Sequence, residues 1–141
     1  LPIGHAVVPT AAFSDEGTSR RYGGSRWARP DSSLVRRLRS VFRKRSIAVR
    51  EGGVWTTDAV YRESRSKARS LVRRGIVGVE MEASALFTIG RYRNVRVAGV
   101  LVVSDELAGE ACTPGFERPA FRSGIRKTLG IIVEAMSGGL A

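Results

Sequence analysis

Cysteine and histidine are nearly absent from this sequence of 141 residues, which has only Cys112 and His5. One cysteine cannot form an internal disulfide, and these two side chains fall short of the three or four ligands of a usual zinc site. Cys112 also has no base beside it that would make it a nucleophile, so we interpret it as an ordinary packed or loop residue. We therefore expect no metal site and no bound cofactor.

Long hydrophobic runs are missing as well. No apolar stretch reaches the roughly 18 residues that a membrane span requires, and the first residues lack the charged start and long apolar stretch of a signal peptide. We therefore expect a cytoplasmic protein without a membrane partner. The chain is 43% hydrophobic, which at this length is enough for a real core in a single domain spanning residues 1–141.

Acidic residues are few, 13 against 24 basic ones, which gives a net charge of +11. Such a balance suits anionic partners such as phosphate, nucleotides or nucleic acid. The densest basic cluster, Arg36–Arg50, contains Phe42 as its only interleaved aromatic residue and no recognised nucleic-acid-binding motif. We interpret it as a solvated helix face and do not expect nucleic acid as a partner.

The apolar pattern predicts an α/β fold with helices packed on a sheet. Strands are predicted at residues 6–8, where Pro9 ends the run, and at residues 46–49, 53–57 and 95–103. Helices are predicted after the start signal Pro30-Asp31, then at residues 62–74 with Gly75 as the stop, at residues 79–91 and at residues 121–136. The polar, glycine-containing residues 15–19 are predicted to form a loop.

The segment Glu80-Met81-Glu82 places two carboxylates around a thioether at the predicted start of a helix. Carboxylates can accept paired hydrogen bonds from the vicinal hydroxyls of a ribose, and a methionine can lie against the apolar face of a sugar. The structural alternative is that acidic residues simply favour the first turn of a helix, where the macrodipole stabilises them. Spacing alone favours this structural interpretation.

Ser104-Asp105 follows the most apolar predicted strand. Ligand sites in open α/β sheets lie at the carboxyl ends of strands, where a partly desolvated carboxyl group can act as a general acid. The alternative is a helix cap or a loop residue. The stretch from Trp55 to Tyr61 offers aromatic and hydroxyl side chains that could hold a base, or it is a strand that leaves the core through a polar turn.

Taken in chain order, these segments resemble the hexameric class of nucleoside phosphorylases, which includes purine nucleoside and uridine phosphorylases. The similarity covers nearly the whole chain, and its stretches are residues 3–12, 15–19, 54–58, 78–83 and 102–105. Its most specific part is Val-Glu-Met-Glu-Ala at residues 79–83, followed by Ser104-Asp105. The resemblance implies a three-layer α/β/α sandwich with a mixed central sheet. It also implies a homo-oligomer built from dimers, up to a hexamer.

The resemblance also implies site residues. Met81 would pack on the sugar and Glu82 would hold its hydroxyls, with Glu80 close by. Asp105 would donate a proton to the purine ring, and the base would lie beside Ser104 and the pair Val60-Tyr61. Phosphate would be the co-substrate, and the products would be a free base and ribose 1-phosphate. Many purine enzymes of the family have phenylalanine where this chain has Val60.

Members of the family carry further phosphate-binding elements ahead of these motifs. These are a Gly-rich phosphate loop, phosphate-binding arginines and a segment of the type Arg-x-Gly-Thr, and none of them has a match in the 141 residues. We therefore expect ribose and base elements without most of the phosphate site, and an incomplete sheet. A nucleosidase that uses water in place of phosphate, and a truncated non-catalytic homologue that binds nucleosides or nucleic acid, stay open as alternatives.

Overall fold

The structure is a computed structural model that describes residues 1–106 and 113–137; Cys112 lies outside the described residues. The chain divides into two compact units. The first unit comprises Leu1–Val8, Arg36–Arg50 and the described residues from Val100 onward. The second unit comprises Pro9–Val35 and Glu51–Gly99.

Strands and helices alternate over the first 92 residues, and three short strands then precede the last described helix. The strands are β1 (Ala6–Asp15), β2 (Trp27–Ala28), β3 (Val49–Thr57), β4 (Ile76–Glu80), β5 (Leu101–Val102), β6 (Asp105–Glu106) and β7 (Thr113–Pro114). The helices are α1 (Thr18–Arg21), α2 (Ser32–Lys44), α3 (Arg65–Val72), α4 (Ala83–Tyr92) and α5 (Pro119–Ser137), and residues Val60–Arg62 form a 3-10 helix. None of the helices within the described ranges is long and apolar enough to cross a membrane.

The main sheet has the strand order β2-β1-β3-β4, with β5 also paired to β1. Its pairing is mixed, because β3 and β4 run parallel while β1 is antiparallel to β2 and to β5. A mixed sheet combined with helices confirms the predicted α/β class. The short strands β6 and β7 form a separate antiparallel pair in the first unit.

Pro9 does not end the first strand, so the prediction of a strand at residues 6–8 was too short. β1 continues to Asp15. Its first residues pair with β5 and its residues Ala12 and Phe13 pair with β2, so that Pro9 lies between the two stretches of pairing. A proline, which lacks the N–H that a ladder needs, is tolerated at such a position.

Two strand boundaries also differ from the prediction. Residues 46–48 are not a strand, because Ser46 has a left-handed φ of 51° in the turn after α2, and β3 begins only at Val49. The predicted strand at 95–103 shortens to β5. Ahead of β5, the carbonyl of Val97 accepts a hydrogen bond from the main-chain N–H of Asp31 at 2.7 Å, so this stretch pairs with a loop and not with a strand.

The region of residues 62–91 was predicted as two helices, but it contains a strand between them. The first helix, α3, is shorter than predicted, and Gly75 adopts a φ of 83° in the turn that follows it. β4 then pairs in parallel with β3, with Trp55 opposite Val79. Val79 and Glu80 therefore belong to this strand, and helix α4 begins only at Ala83.

The core of the second unit is formed where α3 and the sheet meet. Phe13, Trp55, Leu71 and Ile76 make one buried cluster. These large apolar side chains come from β1, β3, α3 and β4, and their burial is the main contribution to holding these elements together. Phe13 and Trp55 lie close to the last residues of β1 and β3, so the cluster packs next to two of the strand ends that carry the candidate site.

Helix α2 agrees with the predicted apolar periodicity. Helix α5 also forms where it was predicted, but it buries a different face: Gly124, Thr128, Ile131 and Ala135 are buried, whereas Ile125, Leu129, Val133 and Met136 are exposed. Asp31 caps α2, since its Oδ1 accepts hydrogen bonds from the main-chain N–H groups of Ser33 and Leu34, both at 2.9 Å. In the first unit, Glu134 of α5 pairs with Lys44 at 2.8 Å and with Arg45 at 2.7 Å. These contacts hold α5 against the end of α2.

Candidate functional site

The ends of three strands of the second unit meet at one edge of the sheet. After β1, the main-chain N–H of Gly17 donates to Oδ2 of Asp58, which follows β3, at 3.0 Å. At the end of β3, Thr56 donates a short hydrogen bond from its hydroxyl to Oε1 of Glu80, the last residue of β4. Because ligands of open α/β sheets bind at the carboxyl ends of strands, this edge is the candidate site.

The Glu80 carboxylate holds the chain in place at this edge. Its Oε2 accepts hydrogen bonds from the main-chain N–H groups of Glu82 at 2.8 Å and Ala83 at 2.6 Å, while Oε1 accepts the Thr56 hydroxyl. Glu80 thus caps the N-terminus of α4 from the preceding strand, where a negative charge is stabilised by free N–H groups and the helix dipole. The side chain of Glu80 fixes the main chain of the motif.

Met81 and Glu82 occupy the turn between β4 and α4. Both side chains are exposed, Met81 to 46%. Glu82 is the N-cap residue of α4, but its side chain makes no capping hydrogen bond. The structure therefore shows a capping role for Glu80 and not for Glu82. The structure thus exposes a thioether and a carboxylate on consecutive residues of a turn whose main chain Glu80 restrains.

Thr56 links the turn to the interior of the sheet. Its side chain is fully buried, and Oγ1 accepts a hydrogen bond from the main-chain N–H of Ser84 at 3.0 Å while donating to Glu80. A hydroxyl can serve as donor and acceptor at once, so it satisfies two buried groups that would otherwise lack partners. Thr56 therefore joins β3, the end of β4 and the first turn of α4.

Glu16 is a buried carboxylate that the sequence prediction missed. Residues 15–19 were predicted as a loop, but Asp15 ends β1, α1 begins at Thr18, and Glu16 is only 7% exposed. Its Oε1 accepts from the hydroxyls of Ser14 and Ser84, both at 2.8 Å, and its Oε2 accepts from the main-chain N–H of Ser19 at 3.0 Å. No sequence signal near Glu16 reveals this burial, because Ser84 lies far along the chain.

Hydrogen bonds keep the Glu16 carboxyl group ionised. Burial raises its pKa, but hydrogen bonds from Ser19, Ser84 and Ser14 outweigh this effect and lower the pKa from 4.5 to about 2. No ion pair within the described part of the chain includes Glu16. The charge is thus stabilised by hydroxyl and N–H donors alone, which is a costly arrangement unless every acceptor is satisfied.

A second acidic residue, Asp15, makes two contacts at the end of β1. Asp15 accepts a hydrogen bond from the indole N–H of Trp55 at 3.0 Å and a short ion pair from Lys67 of α3. The Lys67 ammonium also lies 5.0 Å from the centre of the Trp55 ring, in cation–π geometry. These contacts anchor α3 to the edge where the candidate site lies.

Val60 and Tyr61, the predicted base-binding pair, lie in the 3-10 turn after β3. Both are exposed, Val60 to 48% and Tyr61 to 99%. Tyr61 therefore presents an aromatic face to solvent. Their contact with a base stays a prediction.

Ser104 and Asp105 belong to the first unit. The Ser104 hydroxyl donates to Oδ1 of Asp105 at 2.5 Å, and Asp105 opens β6, where it pairs with Pro114. Both side chains are partly buried. The structure thus brings this predicted pair together, and it groups Glu80, Met81 and Glu82 in the second unit.

Nowhere in the described ranges do three or more His, Cys, Asp or Glu side chains cluster closely enough to hold a metal ion.

The sequence is similar to purine nucleoside phosphorylases. It is 31% identical over 134 residues to the DeoD-type purine nucleoside phosphorylase of Myxococcus xanthus, which covers 93% of this chain and 56% of that protein. It is 33% identical over 100 residues to the DeoD-type enzyme of Bacillus velezensis, covering 70% of this chain and 43% of that protein. The chain thus spans about half the length of these curated relatives.

Solved structures share the fold. Uridine phosphorylase from Vibrio fischeri superposes with a TM-score of 0.82 at 24% identity, over 98% of this chain and 58% of that one. AMP nucleosidase from Bacteroides thetaiotaomicron gives a TM-score of 0.75 at 24% identity, over 97% of this chain and 56% of that one. The family described as the phosphorylase superfamily matches residues 1–137. The chain therefore belongs to the phosphorylase superfamily, within the nucleoside phosphorylase family that its motifs had predicted.

Proposed function

We propose that this protein acts in the phosphorolysis of a purine nucleoside to a free base and ribose 1-phosphate, with this chain holding the nucleoside. The observation that carries the proposal is the turn after β4, in which Glu80 restrains the main chain while Met81 and Glu82 stay exposed at the carboxyl end of a strand. The similarity to DeoD-type purine nucleoside phosphorylases supports it.

The ribose would be held by the exposed side chains of this turn. The Glu82 carboxylate has lone pairs available for two vicinal hydroxyls, since it makes no capping hydrogen bond. The Met81 thioether, flexible and polarisable, would cover the apolar face of the sugar. Glu80 contributes indirectly, because its own oxygens accept three hydrogen bonds from the protein.

Asp105 would act on the departing base. As the bond between the anomeric carbon and the base nitrogen breaks, its electron pair moves to the base, and a proton from Asp105 neutralises the purine ring. A phosphate oxygen attacks the anomeric carbon, which has oxocarbenium character, so ribose 1-phosphate forms. The Ser104 hydroxyl at 2.5 Å orients the Asp105 carboxyl group. Val60 and Tyr61 would lie against the base.

A coupled assay for free base tests this proposal. Inosine, adenosine and uridine are supplied with and without phosphate, and the released base is measured. We expect the free base to be released from the purine nucleosides only when phosphate is present. Release without phosphate would make the protein a nucleosidase, and saturable nucleoside binding without release would reduce the chain to a binding module.

A further inference from the structure

A chain of hydrogen bonds joins the buried Glu16 carboxylate to the turn after β4. The Ser84 hydroxyl donates to Oε1 of Glu16 at 2.8 Å, and the main-chain N–H of the same serine donates to Thr56 at 3.0 Å. Thr56 donates in turn to Glu80, which accepts the N–H of Glu82. Ser84 is fully buried and lies two residues after Glu82.

The turn is therefore held at both ends. Glu80 restrains it from the strand side, and Ser84 restrains it from the helix side through Thr56 and Glu16. The side chains between these two restraints, Met81 and Glu82, are the exposed ones. A restraint of this kind reduces the main-chain freedom that would otherwise be lost when a ligand is bound.

Glu16 is costly to bury, and hydrophobic packing does not explain its presence. A carboxylate that is 7% exposed loses most of its hydration, and Glu16 meets only hydroxyl and N–H donors in its place. Its pKa of about 2 means that it is ionised at neutral pH and accepts strong hydrogen bonds.

The geometry points to Glu16 as a positioning residue of the nucleoside site, acting through Ser84 on the main chain that carries Glu82. This inference rests on the proposed function for its ligand, but its structural part, the ordering of the turn after β4, can be measured without a ligand. Glu16 is expected not to touch the nucleoside. Its removal should therefore weaken contacts to the ribose and leave contacts to the base unchanged.

Two serine variants separate positioning from simple stabilisation. Ser84→Ala and Ser14→Ala each remove one hydroxyl that donates to the same Glu16 oxygen at the same distance, 2.8 Å. Only Ser84 belongs to α4. If Glu16 acts merely as a stabilised buried charge, the two variants should behave alike. If it positions the turn, only Ser84→Ala should disturb Glu82.

Amide hydrogen exchange is the first measurement. We expect faster exchange of the Glu82 and Ala83 N–H groups in Ser84→Ala and wild-type rates in Ser14→Ala. Equal protection of these two amides in both variants would overturn the positioning role, whether or not any nucleoside binds. Chemical denaturation of both variants shows that each is folded under the conditions of the exchange experiment.

Calorimetric titration with inosine and with its free base, hypoxanthine, is the second measurement. We expect Ser84→Ala to weaken inosine binding roughly tenfold and to leave hypoxanthine binding unchanged, while Ser14→Ala binds both as the wild type does. Combining Ser84→Ala with Glu82→Ala should add no further loss, because the first change acts through the second residue. Equal losses for inosine and hypoxanthine, or additive losses in the double variant, would overturn the inference.

The two experiments also separate this inference from the proposed function. If the wild type fails to bind inosine but Ser84→Ala still loses amide protection, the proposed function is wrong and the positioning of the turn stands. If inosine binds and is cleaved but neither measurement distinguishes the two serine variants, the function stands and the positioning role is wrong.

Discussion

The main-chain N–H of Ser84 donates to Oγ1 of Thr56 at 3.0 Å, which ties the first turn of α4 to the fully buried end of β3. The same hydroxyl donates to Glu80 at the end of β4. One side chain therefore satisfies two groups from different elements, and both depend on an oxygen that an apolar residue would lack.

Replacing Thr56 by valine tests how much this hydroxyl stabilises the fold. Thr56→Val keeps the shape but leaves the buried Ser84 N–H without its acceptor, which costs about 1–3 kcal/mol. We expect the free energy of unfolding in urea to fall by this amount. Thr18→Val, at an exposed position of α1, is the control and should change stability by less than about 0.5 kcal/mol. Equal stability of the two variants would contradict the role assigned to Thr56.

The stability of the protein should depend on pH through Glu16. Its pKa falls from 4.5 to about 2 on folding, since hydrogen bonds from Ser19, Ser84 and Ser14 outweigh the effect of burial. A depressed folded-state pKa stabilises the folded state fully above about pH 5, and this contribution is lost as the pH falls toward 2. The shift corresponds to roughly 3 kcal/mol. Urea unfolding between pH 2.5 and 7 should therefore show a flatter pH dependence in Glu16→Gln; the wild-type slope in that variant would refute the assignment.

Two glycines of α5, Gly124 and Gly130, test whether this helix packs closely on Gly4 in the first unit. A Cβ at Gly124 would overlap the carbonyl oxygen of Gly4, whereas a Cβ at Gly130 would meet nothing within 4 Å. Gly124→Ala should therefore lower the free energy of unfolding by about 1–3 kcal/mol. Gly130→Ala should raise it by up to about 1 kcal/mol, because alanine is the better helix former. Denaturation curves with the same sign of change for both variants would show that α5 does not pack closely on Gly4.

Helices with strong local signals could be predicted from the sequence. The Asp31 cap and the apolar spacing after it were sufficient for α2. The apolar residues between 121 and 136 were sufficient to place the helix α5, but not to predict which face it buries. Both depend on neighbours in the chain, which is why the pattern reveals them. Glu80, Met81 and Glu82 also form a local motif, but its spacing alone favoured the structural interpretation, and the predicted roles of these residues come from the family resemblance.

Features that depend on distant residues could not be predicted. Val79 and Glu80, the last two residues of β4, were assigned to the following helix because Met81, Ala85 and Ile89 fit a helical repeat, and only the parallel pairing with β3 makes them part of a strand. Glu16 looked like a loop residue because its donor Ser84 lies 68 positions away. In both cases tertiary contacts override the local pattern.

Removing the Glu82 carboxylate should weaken nucleoside binding without changing the stability of the fold. Its side chain is exposed and makes no capping hydrogen bond, so Glu82→Ala leaves no buried group unsatisfied. Hydrogen bonds to a charged acceptor are strong, so we expect the loss of the carboxylate to lower the affinity for inosine on the order of 10- to 100-fold. Calorimetric titration measures this loss. Glu117→Ala, at a side chain that is 90% exposed, is the control, and equal affinities in the two variants would exclude Glu82 from the ribose site.

Asp105→Asn tests the proposed general acid. Asparagine keeps an oxygen that can accept the Ser104 hydroxyl, which now donates to Asp105 at 2.5 Å, but it cannot transfer a proton. The kcat for inosine should fall by roughly 10²- to 10⁴-fold, while the KM changes little because the ribose contacts remain.

Calorimetric titration with inosine separates proton donation from a structural effect. Asp105→Asn should bind inosine as the wild type does, because the ribose contacts remain, while the release of the base slows. Inosine turnover that survives Asp105→Asn at the wild-type rate would show that another group protonates the base.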